Sequence, residues 1–72
     1  MSPEKMMTMA NQIAAFFKTQ PGDDAAAQVA AHLNDFWEPR MRGELLRHVE
    51  AGGDGLDPLI LKAAPLLNPA QS

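Results

Sequence analysis

The 72-residue chain contains no cysteine and no tyrosine. Without a thiol it can form no disulfide, no thiolate zinc site and no cysteine-ligated iron–sulfur cluster. Serine is almost as scarce, with Ser2 and Ser72 at the two ends. Acyl-transfer chemistry, which needs a Ser or Cys beside a base, therefore has no candidate nucleophile. No apolar run approaches the roughly 18 residues of a membrane span. The opening MSPEKMM lacks the basic region, long apolar stretch and small-residue cleavage site of a secretory signal. These absences lead us to expect a soluble, cytoplasmic protein with no membrane partner. A domain of this length buries only about 60% of the surface its unfolded chain exposes. With no staple present, a partner is the expected supplement to its stability.

Charge of either sign is modest. Nine acids and six bases give a net charge of −3, divided as −2 over residues 1–37 and −1 over residues 38–72. Neither half is a basic nucleic-acid module.

The chain does carry clear helix punctuation. Ser2-Pro3-Glu4 is a helix start, with a capping hydroxyl, proline at the first helical position and an acid at the positive end of the dipole. Met6, Met9, Ile13, Phe16 and Phe17 then recur at steps of three and four, predicting one apolar stripe. Gln20-Pro21-Gly22 ends that helix. Asp23 or Asp24 can cap a second helix, alanine-rich at first, with Val29, Leu33, Phe36 and Trp37 as its apolar edge. Pro39 disfavours helical geometry at Glu38 and marks a corner. A third helix follows, with Met41, Leu45 and Val49 at spacing four and Leu46 beside them. Gly52-Gly53 closes it, one of the two in the left-handed conformation of a helix end. Asp57-Pro58 starts a short fourth helix that Pro65 should kink or end early.

Nothing alternates with period two over a strand's length. The expected fold is a single all-α domain over residues 1–72, a small bundle of three to four short helices at about 3–19, 24–37, 39–51 and 58–67, with a tail frayed from about residue 68. The last helix is apolar nearly all round: either it is the central element of the bundle, or another protein buries part of it.

Reactive constellations are thin, and no catalytic, cofactor-binding or metal-ligating residue is assigned. His32 and His48 fall on different predicted helices. His32 lies one step from the Val29/Leu33 stripe, where packing outweighs a ligand role. Glu44, His48 and Glu50 are the only local metal offering, and Glu44/His48 at spacing four is a common surface pair. Asp23-Asp24 is explained by capping. Gly52-Gly53-Asp54-Gly55 lacks a phosphate-loop lysine and dinucleotide spacing.

The one dense constellation is Phe36-Trp37-Glu38-Pro39-Arg40-Met41-Arg42, with Arg47 one turn beyond. Trp, Arg and Met are enriched at interface hot spots, and a proline corner holds them. On the plainer alternative Phe36, Trp37 and Met41 are core, and the arginines are solvated and pair with Glu38 and Glu44. Yet Arg40, Arg42 and Arg47 are half of all the bases, packed into eight positions of an acidic chain, a cluster suited to an acidic patch or an anionic group.

Three segments, MANQIAAFF at 9–17, HLNDFWEPRMR at 32–42 and HVEAGGDGLDPLILKA at 48–63, resemble the delta subunit of cytoplasmic NAD-dependent, molybdenum- or tungsten-containing formate dehydrogenases. The resemblance runs from about residue 1 to residue 67. It implies a small accessory subunit that is not itself an enzyme and binds no cofactor. The host's alpha subunit would carry bis-molybdopterin guanine dinucleotide and iron–sulfur clusters. The beta and gamma subunits would carry FMN, further clusters and NAD chemistry. The implied partner is the alpha subunit, and through it beta and gamma, with a role in assembly or stability of the active complex. The expected partner-binding residues are Phe36, Trp37, Pro39, Arg40, Met41, Arg42, Arg47 and His48, with Trp37, Arg40 and Arg42 foremost. Two alternatives stay open: a transient chaperone for molybdenum cofactor insertion or protection, and a helical nucleic-acid-binding module, which the net charge disfavours. Self-association is left open.

Overall fold

The computed structural model describes residues 2–68, as four α-helices and a closing 3₁₀ turn with no strand among the described residues. The helices are α1 (Pro3–Lys18), α2 (Ala25–Phe36), α3 (Pro39–Glu50) and α4 (Pro58–Ala63), and the turn is Ala64–Leu66. Fraying from about residue 68 falls almost wholly on residues outside the described part.

Local chemistry accounts for each boundary. Ser2 accepts the Lys5 N–H through its hydroxyl (3.2 Å) and Pro3 opens α1. Asp24 is the residue before α2, but its side chain takes the Gln28 amide (2.9 Å) instead of a backbone N–H. Trp37 and Glu38 are both extended, with ψ of 138° and 151°, and Pro39 begins α3 directly; the proline forbids helix at Glu38 and makes the corner sharp. At the end of α3 the Gly52 N–H bonds Val49 O (3.1 Å) and the Gly53 N–H bonds His48 O (2.9 Å). That pair of bonds is a Schellman closure, and both glycines, not one, have positive φ. A Cβ on Gly53 would also lie 2.5 Å from Leu61 Cδ2. Asp57 caps α4 through the Leu59 N–H (2.9 Å), and Pro65 ends it after six residues by converting the chain to a 3₁₀ turn.

Helix α1 packs on α2, α3 and α4, and α4 lies chiefly against α2. The core is Met6, Ala10, Ala14, Val29, Ala30, Leu33, Trp37, Leu45, Leu56, Ile60, Ala63 and Leu67. The α1 stripe read from bulky residues is thus rotated: Met6 is inside with Ala10 and Ala14, while Met9 and Phe16 face out and Ile13 and Phe17 are half-buried. Alanines on the inner face let backbones approach closely, and larger side chains are displaced to the flank. The fourth helix packs on α2 and α1 and buries Ile60 and Ala63, while Leu61 and, just after it, Leu66 stay partly exposed.

One side chain fixes the loop after α3. Asn11 donates Nδ2–H to Gly55 O (2.9 Å) and accepts the Asp57 N–H at Oδ1 (2.8 Å). Beside it Lys18, at the end of α1, pairs with the Asp57 carboxylate. The Lys18 ammonium, and after it the Leu59 N–H, hold the Asp57 carboxyl below the usual carboxylate range.

Two outcomes follow for stability. Trp37→Ala removes a buried side chain and should cost about 3–5 kcal/mol in urea unfolding; a loss below about 1 kcal/mol would show that Trp37 is no core anchor. Asp57 has a folded-state pKa lower than its unfolded one, so the unfolded chain binds the proton first as pH falls. Its contribution is complete above the unfolded value near about 3.9 and is lost as pH drops through the folded value. Asp57→Asn, which keeps a capping oxygen, should therefore flatten the decline of the urea midpoint below about pH 4; acid-side curves parallel to wild type would refute this.

Candidate docking surface

Helix geometry splits the dense constellation at the corner into two faces. Trp37 and Arg42 turn inward and are 6% and 7% exposed. Phe36 turns outward and is 73% exposed, which corrects the alternative that placed it in the core with Trp37 and Met41. Met41 and His48 are half-buried, whereas Pro39, Arg40 and Arg47 are exposed. The eight corner residues thus share one stretch of chain but not one surface.

The basic side chains part in the same way. Arg42 donates Nη1–H to Trp37 O (2.6 Å) and Asn34 O (3.3 Å) and Nε–H to Asn68 O (3.2 Å). Arg40 and Arg47 are in no ion pair among the described residues, so pairing with Glu38 and Glu44 is not found. His48 donates Nε2–H to Asp54 O (2.6 Å), which ties the glycine loop to α3. Arg47 and His48 also line a shallow groove with Pro3, Met6 and Glu44.

The outward rotation of α1 creates a second feature, which runs into the corner. Met9, Gln12, Ile13, Phe16, Phe17 and His32 line an open groove of about 310 Å³ between α1 and α2, with no Asp, Glu, Lys or Arg in its lining. Its rings continue as a row. Phe16 and Phe17 meet edge-on at 5.2 Å, Phe17 and His32 at 5.9 Å, and His32 and Phe36 lie 4.8 Å apart at 39°. The row begins at Phe16, 60% exposed, and ends at Phe36. His32 is one of its rings, sandwiched between phenylalanines.

Sequence periodicity missed this row because it assigns bulky apolar residues to the interior and alanines to neutrality. A count of the small residues at Ala10 and Ala14, spaced by four, would have shown a competing face. It also missed Asn11 and Asn34, single polar residues on inward-turning helix positions that clamp distant backbone.

Reactive groups stay dispersed. Ser2 Oγ is committed to its cap and the Thr19 hydroxyl donates to Phe16 O (2.6 Å). Among the described residues no three His, Asp or Glu side chains converge as a metal-holding group, and no helix is long and apolar enough to cross a membrane.

Fold and surface together define the class: a small all-α domain with an uncovered aromatic row on one face. A family model described as NADH-dependent formate dehydrogenase delta subunit FdsD matches residues 5–64, and the chain belongs to that family. No curated protein matches it.

Proposed function

We propose that the chain is a non-catalytic delta subunit that docks on the molybdopterin-bearing alpha subunit of an NADH-dependent formate dehydrogenase and supports assembly or stability of the active complex. The observation that carries this reading is the aromatic row from Phe16 to Phe36, left uncovered on a domain whose core is otherwise complete. Contiguous exposed apolar surface on a small soluble domain marks an interaction site. Membership of a subunit family supplies the setting. Through alpha the chain would join the beta and gamma subunits in the cytoplasm, in a host holding bis-molybdopterin guanine dinucleotide, iron–sulfur clusters, FMN and NAD.

Of the corner residues, Phe36, Pro39, Arg40 and Arg47 are exposed to meet a partner. Trp37 and Arg42 act from inside by shaping the corner. Arg40 and Arg47, free of internal ion pairs among the described residues, suit carboxylates on the partner beyond the apolar contact. A transient chaperone for cofactor insertion would use the same surface and differs in duration.

The test is co-purification with a tagged alpha subunit. Burying the exposed parts of two phenylalanines is worth about 2–4 kcal/mol together. Phe16→Ser with Phe36→Ser should therefore cut retention at least about tenfold while leaving the helical signal of the free chain intact, and undiminished retention would exclude the row as the docking surface. Stoichiometric chain in purified active enzyme marks a permanent subunit, and its loss after maturation marks the chaperone.

A further inference from the structure

The partners of Arg42 are unusual for a buried cation. No carboxylate meets it, since the only ion pair among the described residues is Lys18–Asp57. Its Nη1 instead holds Asn34 O and Trp37 O, carbonyls at the C-terminal end of α2, where the helix dipole favours positive charge. Its Nε holds Asn68 O, beyond the 3₁₀ turn. The same strap, residues 64–68, is fastened twice more by the Asn34 side chain. Oδ1 accepts the Asn68 N–H (2.8 Å) and Nδ2 donates to Leu66 O (3.3 Å). Leu67 is buried beneath these fastenings.

We propose that Arg42 and Asn34 join the C-terminal strap and the α2–α3 corner into one cooperative unit, so that the seating of the strap holds the corner that presents Phe36 and Arg40. The importance of that corner to a partner rests on the docking reading above; the coupling does not. A guanidinium offers five N–H donors in a rigid fork. Engaged on both sides at once, it cannot follow a lifting strap without releasing Trp37 O, and it cannot stay behind without leaving part of a buried charge unsatisfied. The coupling is reciprocal: whatever grips the corner also favours the seated strap.

Hydrogen exchange of the intact chain at low denaturant tests this without any partner, so its result is separable from that of the docking experiment. Amides of Leu67 and Asn68 should share one opening isotherm with those of Trp37 and Arg42, below that of Ala10 and Ala14 in α1. Strap amides that open alone, while the corner exchanges only with α1, would overturn the proposal. Asn34→Ala removes both of its side-chain strap bonds but leaves the Arg42–Trp37 bond in place. It should speed exchange in strap and corner by a common factor of about ten, with a matching red shift of Trp37, the sole tryptophan. Acceleration confined to the strap would overturn the coupling, and the wild-type isotherms decide alone if the variant does not fold.

Discussion

Close approach of backbones governs this domain. Four short helices without a disulfide can exclude water from a core only if their axes come near enough for small side chains to mesh. Ala10 and Ala14 on α1, Ala30 on α2 and Ala63 on α4 are all buried and give that spacing. The consequence reaches the surface. Because alanines occupy the inner face of α1, Met9 and Phe16 are carried round to the flank, and Phe17 is left half in the core and half in the groove. The aromatic row is the outer side of the same packing solution that closes the core.

A core of this kind is thin, and polar clamps across long sequence separations supplement it. Asn11 fastens the loop before α4, and Asn34 and Arg42 fasten the segment after it. Helix α4, only six residues long, is thereby held at both ends by side chains from other helices. A helix so short has little stability of its own, so its position must be imposed from outside. Each clamp uses a side chain that donates and accepts, or donates in several directions, and each binds backbone groups that would otherwise be left without partners at chain ends and turns. Among the described residues no buried side-chain polar atom lacks a partner.

Much of this was legible from the chain itself. The caps at Ser2 and Asp57, the corner before Pro39, the glycine closure after Glu50 and the early stop at Pro65 each follow from one or two residues whose backbone geometry is nearly compulsory. The helices fall within a residue or so of expectation, except that α4 stops at Ala63. What was not legible depends on three dimensions. Whether Phe36 or Trp37 enters the core is decided where α2 unwinds: Phe36 is the last helical residue and is exposed, and Trp37, extended, is buried in the core cluster that also holds Leu33 and Leu45. Adjacent aromatics at a helix end cannot both face inward, and periodicity alone does not choose between them. The roles of Asn11 and Asn34 were invisible for a similar reason, since their partners lie 32 to 46 residues away.

The arginine cluster shows how burial changes the meaning of a sequence feature. Read along the chain, Arg40, Arg42 and Arg47 make three positive charges in eight positions. In the fold Arg42 is spent on the carbonyls of α2 and the strap, which leaves two exposed cations on a helix that also carries Glu44 and Glu50. Affinity for a phosphate backbone scales with the number of cations that can reach it, so the loss of one from an already acidic chain weakens a nucleic-acid role further. An apolar contact suffers no such loss, because Phe16 and Phe36 are uncovered whatever the state of the arginines. Of the three arginines, two remain exposed and one is buried on backbone carbonyls, so the positive run read along the chain is not the charge that the surface of the fold presents.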